Sequence, residues 1–127
     1  MEIKSYKDLI VWQKSIELVL AVYELTEQFP KSEIYGLTSQ MRRASVSISS
    51  NIAEGKMRGS RKEYRHFLLN AIGSGAELET QIEIAKRLPF SQHLNFSKVN
   101  PLLEEIMKML NVLIQKLNSS EPNTYNP

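Results

Sequence analysis

Apolar residues recur along this chain at three- and four-residue spacings, the period of helices, in four blocks separated by glycine and proline. The first block covers residues 6–28 and stops before Pro30. Within it Leu9, Trp12, Ile16, Val19, Leu20 and Tyr23 form one apolar stripe. Val11, Leu18, Val22, Leu25 and Phe29 form a second, with Lys14, Glu17 and Glu24 gathered between the two. A helix packed on a single core needs only one stripe. The second stripe, through Val11, Leu18, Val22 and Leu25, is therefore assigned to contact with another copy of the chain.

The second block spans residues 37–54, with Leu37, Met41, Ala44, Ile48 and Ile52 facing the core and Gly55 as its C-terminal cap. Much of its remaining surface is alanine and serine, which allows another backbone close. The third block opens on a capping box, Ser60 to Glu63, and carries a seam of Tyr64, Phe67, Leu68, Ala71, Gly75, Leu78, Ile82 and Ala85. It ends near Leu88, with Lys86 and Arg87 suited to the negative end of the helix dipole. Gly73 and Gly75 interrupt it, each at about 1 kcal/mol relative to alanine. Close approach of another helix would justify them; a kink is the alternative. The fourth block starts at Asn100, a cap, with Pro101 at the first helical position. Leu103, Ile106, Leu110, Leu113 and Leu117 make its stripe, and Leu102, Met107, Met109 and Ile114 widen it beyond one seam. Four periodic blocks with short connections predict an all-α, antiparallel up-down four-helix bundle over residues 1–118, followed by a flexible polar tail at 119–127. The surplus apolar surface predicts a homo-oligomer.

Composition changes this picture little. The 127 residues suit one domain, and 42% hydrophobic with 24% charged residues is ordinary for a globular chain. With no cysteine, disulfide scaffolds, thiolate metal sites and cysteine nucleophiles are excluded. The longest wholly apolar run, residues 18–23, is far short of a membrane span, and the first residues have no signal-like apolar core. No membrane association and a cytoplasmic location are expected.

Enzyme chemistry finds few residues to work with. His66 and His93 have no ligand-spaced partner; Glu63 and His66 have the spacing of a di-iron ligand pair, but no second such pair exists. Glu77, Glu79 and Glu83 lie near Lys86 and Arg87, and Glu83 with Arg87 is an ordinary helical ion pair. The GKMRG segment at 55–59 lacks the order of a phosphate loop, and the serines at 45, 47, 49 and 50 have no histidine at hand. No catalytic residue, metal or cofactor is predicted.

Charge says more through its distribution. The chain nets +2, but seven basic residues between positions 42 and 65 face only Glu54 and Glu63, for +5. They are Arg42, Arg43, Lys56, Arg58, Arg61, Lys62 and Arg65. Arg61, Lys62 and Arg65 oppose the positive end of their own helix dipole, a local rule broken without local gain. Guanidinium groups around a helix N-terminus suit phosphate, so these seven are the candidate nucleic-acid contacts. Ion pairs to Glu54, Glu63 or a neighbouring subunit are the alternative. Arg42 and Arg43 lie several turns from the others and join them only if the packing allows. Aromatic residues are not interleaved with the cations, so nothing predicts base recognition.

Four strings, YKDLIVWQ at 6–13, GLTSQMRRA at 36–44, SISSNIAEG at 47–55 and GSGAELE at 73–79, resemble the bacterial four-helix bundle family, also called the intervening-sequence or ribosomal protein family. Its name comes from genes found within insertions of large-subunit ribosomal RNA. The resemblance runs over residues 6–117 and implies a four-helix bundle assembled as a ring-like homopentamer, with no established enzyme activity. A neighbouring branch, accessory proteins of diversity-generating retroelements, is similar to it and comprises basic pentamers that bind nucleic acid and a reverse transcriptase. By resemblance, Arg42 and Arg43 fall on the family's QxRR motif, Asn51 and Glu54 on SNIAEG, and Arg58 on the arginine after that turn. Met57 stands where the pattern usually has glycine. Asn51 and Glu54 are accordingly expected at the subunit junction. The implied partners are further copies of the chain, with RNA or DNA, or a partner protein, on the assembled surface.

Overall fold

The computed structural model describes residues 5–119 and contains four long helices and, among those residues, no strand. They are α1 (Ile10–Thr26), α2 (Ser39–Met57), α3 (Arg61–Arg87) and α4 (Val99–Ser119). No helix among the described residues is long and apolar enough to cross a membrane. α1 packs on α2, α2 on α3, α3 on α4, and α4 returns to α1. Individual contacts give the directions. Ser15 meets Ser49 while Thr26 meets Arg42; Ser47 meets Ser74 while Gly55 meets Phe67; Arg61 meets Lys116 while Gly75 meets Met107. In each pair one number rises as the other falls, so neighbouring helices are antiparallel. Leu18, Met41, Ile48, Leu68, Leu78, Leu103, Ile106 and Leu110 are wholly buried in one shared core.

The stripe assigned to α1 is corrected. Val11, Leu18, Val22 and Leu25 are buried within the single chain, at 2%, 0%, 0% and 3% exposure, and have no surface left for another copy. Leu20 and Tyr23, from the stripe expected inside, are 65% and 42% exposed. The reason is Ser15, which shares the buried face with Val11, Leu18 and Val22. Its hydroxyl donates to the Trp12 carbonyl at 2.6 Å and accepts from Ser49 at 2.9 Å, so a polar residue sits in the core with its hydrogen bonds met. Two serines in register also let α1 and α2 approach closely.

Helix ends moved too. α2 runs through Gly55 to Met57, and the left-handed position belongs to Gly59, φ 79°, in the turn before Ser60. Gly55 is instead a point of close approach, where a Cβ would lie 2.7 Å from the Phe67 Cβ. Ser60 caps α3 by accepting from the Glu63 amide at 3.1 Å, but the Glu63 carboxylate lies toward Arg58, 3.8 Å away. α3 is continuous through Gly73 and Gly75; Gly75 makes room for Met107 of α4, whereas nothing approaches Gly73. α4 begins two residues early, at Val99, so Asn100 is inside the helix rather than its cap, and Pro101 stays within the first turn, where no amide donor is needed. It also continues through Asn118 to Ser119, so the start of the expected tail is helical; residues 120–127 lie outside the described residues, as do 1–4.

Candidate nucleic-acid interface

Seven cations that are close in sequence are divided by the fold between the two ends of the bundle. Arg42 and Arg43 occupy the first turns of α2, beside the end of α1, while Lys56 lies in its last turn, beside α3. Fourteen residues of helix separate Arg42 from Lys56, about 21 Å at 1.5 Å per residue. One continuous patch on a single chain is excluded.

The end formed by the α2–α3 turn gathers Lys56, Arg58, Arg61, Lys62 and Arg65. Arg58 donates to Glu54 at 2.7 Å and rests 4.9 Å from the centre of the Phe67 ring. The hydrogen bond to Glu54 shifts Arg58 upward from the ordinary arginine value; desolvation opposes it, and the charges of Glu54 and Glu63 add to the rise. Arg61 donates to the Lys116 carbonyl at 2.9 Å, and Arg65 Nε donates to Asn118 Oδ1. Both arginines therefore fasten the start of α3 to the end of α4. The last carbonyls of a helix lack intrahelical partners and carry partial negative charge. Cations that oppose the dipole of α3 thus complement the dipole of α4, which supplies the compensation that the isolated segment lacks. Lys116 adds a further exposed cation at the same end. Lys56 stands 5.6 Å from the centre of the Tyr64 ring, and Lys62 is exposed with no ion pair among the described residues.

At the other end Arg42 is committed to structure. Its Nε donates to Thr26 Oγ1 at 2.9 Å, its Nη2 pairs with Glu27 at 3.2 Å, and its guanidinium lies 4.4 Å from the centre of the Tyr23 ring. Arg43 is exposed, with no ion pair among the described residues. Both arginines line an open groove of about 1010 Å³ with Tyr23, Phe29, Tyr35 and Val46. Lys116, Asn118, Tyr23 and Tyr35 were not among the candidates from sequence. They join the arginines only through helix packing, although an antiparallel bundle does imply that α4 ends where α3 begins.

Of the two remaining interface candidates, Asn51 is half-buried and donates its amide to the Ser47 carbonyl and hydroxyl, at 2.8 and 3.1 Å. Glu54 is exposed and paired with Arg58. His66 is exposed, edge-on to Phe67, and no group of three histidine or acidic residues among the described residues could hold a metal ion.

With this geometry in view, comparison with known sequences is decisive for kinship. The family model of the 23S rRNA-intervening sequence protein matches residues 7–112. The chain belongs to that family. A crystal structure of an S23 ribosomal protein family member of unknown function, from Bacteroides thetaiotaomicron VPI-5482, has a similar fold. It is 23% identical, with a TM-score of 0.70 over 84% of this chain and 99% of the other. No curated protein matches the sequence. The four-helix architecture is thus common to this family member and its structural neighbour.

Proposed function

We propose that this chain is a non-enzymatic, homo-oligomeric helical bundle that binds RNA or DNA phosphates at the α2–α3 end, without sequence specificity. One observation carries the reading: Lys56, Arg58, Arg61, Lys62, Arg65 and Lys116 converge at one end of the bundle, where the nearby α2–α3 acids are Glu54 and Glu63. Arg65 is held in place by its bond to Asn118 of α4, and the exposed Lys62 and Lys116 are the cations at this end best placed for phosphate oxygens.

Such binding is salt-dependent, because each neutralised phosphate releases counterions. Lys56 and Lys62 are the residues to change, since charge reversal at Arg58 or Arg61 would also break contacts within the chain. In a mobility-shift assay on duplex RNA or DNA, wild type should bind at low salt and weaken as salt rises. Lys56→Glu/Lys62→Glu should bind more weakly, with a salt slope shallower by about 2 and an unchanged circular dichroism spectrum. No shift by wild type at low salt, or equal binding by both proteins, would remove the reading.

A second reading is a protein-interaction scaffold, favoured by how many arginines already serve packing: Arg42, Arg58, Arg61 and Arg65 all bond within the chain. In that case the free cation Arg43 meets an acid of a neighbouring subunit. Arg43→Glu should then lower the native mass in light scattering, whereas the phosphate-binding reading leaves the mass unchanged.

A further inference from the structure

We propose that the groove between the end of α1, the 31–38 connection and the first turns of α2 holds a short single-stranded nucleic-acid segment, with Tyr35 as a stacking platform and Arg43 as a phosphate contact. The inference takes its ligand class from the phosphate-binding reading and adds a second site at the opposite end of the bundle. Tyr35 is 97% exposed, the extreme among the large apolar side chains. It does not sit on a loose loop. Glu33 Oε1 accepts from the Leu37 amide at 3.1 Å, and the backbone bends at Gly36, where a Cβ would lie 2.9 Å from that same oxygen. The backbone that carries the ring is therefore braced, and the ring itself stands in water with neither face covered.

Charge on the groove selects the ligand. Lys31, Arg42 and Arg43 line it together with one acid, Glu27, and Arg42 already neutralises that acid. Glu77 shares an adjoining hollow with Tyr35 and Arg43 but forms no ion pair among the described residues, so Lys31 and Arg43 together still leave net positive charge to face an anion. An uncovered aromatic face beside net positive charge is what a splayed nucleotide requires: the base stacks and its phosphate pairs. A volume of about 1010 Å³ admits a few nucleotides. A duplex keeps its bases stacked on one another and could not use Tyr35.

Fluorescence anisotropy on the full-length protein, with labelled oligouridylate and a labelled RNA duplex, tests this. Tyr35→Ala should weaken single-strand binding by about 5- to 150-fold, the range for one lost base–aromatic stack, and leave duplex binding unchanged. Tyr35→Phe should restore it, and Arg43→Gln should make the single-strand salt slope shallower by about 0.7. If Tyr35→Ala binds oligouridylate like wild type while Lys56→Glu/Lys62→Glu loses both probes, this site is refuted and the basic end stands. If wild type binds neither probe, both readings fail. If Tyr35→Ala instead lowers the native mass and spares single-strand binding, another copy of the chain fills the groove and the inference is overturned.

Discussion

Gly55, Gly73 and Gly75 all sit inside helices, yet their surroundings differ. Nothing lies within contact of a Cβ at Gly73, so Gly73→Ala should stabilise the chain by about 1 kcal/mol through helix propensity alone. At Gly75 the obstacle is the flexible tip of Met107, which can move, and Gly75→Ala should come out near neutral. At Gly55 the obstacles are the Phe67 Cβ and the Tyr64 carbonyl, which cannot swing aside, and Gly55→Ala should cost about 1–3 kcal/mol. Urea midpoints at constant m-value would rank the three; equal shifts would contradict the packing. The glycine cost was legible in sequence. Which glycine earns it was not, because the partner atoms are on other helices.

Among elements, α1 shows how a single polar residue can misdirect a pattern. Two apolar stripes were visible, and Ser15 interrupts the one that is buried. Hydropathy ranks serine as a surface residue, but a hydroxyl bonded to the Trp12 carbonyl and to Ser49 is satisfied in the interior. Leu18→Ala should therefore cost about 2–5 kcal/mol, and Leu20→Ser should stay within about 0.5 kcal/mol. Chemical denaturation of both variants decides it, since a large loss at Leu20 would return the other stripe to the core. Helix bounds were legible only to within a few residues, apart from one start. Ser60 caps α3 at the expected position because a cap is a local hydrogen bond, whereas α2 overran Gly55 and α4 overran Asn118.

For the whole molecule, the question is what the exposed apolar residues are for. Ile10 and Val112 line a groove between α1 and α4, while Tyr23, Ile34, Tyr35 and Val46 line the groove at the α1–α2 end. With the α1–α2 groove assigned to nucleic acid, the apolar surface left for self-association is the α1–α4 groove, which differs from the stripe expected. Light scattering at micromolar concentration should give a multiple of the 14.6 kDa chain; a single-chain mass would remove self-association from the proposed function. The cations show the same limit on sequence reading. Their number and sign were plain, and the several turns between Arg42 and Lys56 follow from the rise of α2 itself, but the bonds of Arg61 and Arg65 to α4 come only from helices running antiparallel.

Periodicity and punctuation by themselves determined that there are four helices, roughly where each lies, and the cap at Ser60, because those properties depend on neighbours within a turn or two along the chain. Only the tertiary structure decided which stripe of α1 is buried, that Arg61 and Arg65 serve the end of α4, and that Tyr35 stands beside Arg43. Each of those facts depends on a partner far away in sequence, brought within contact distance by packing rather than by helical rise.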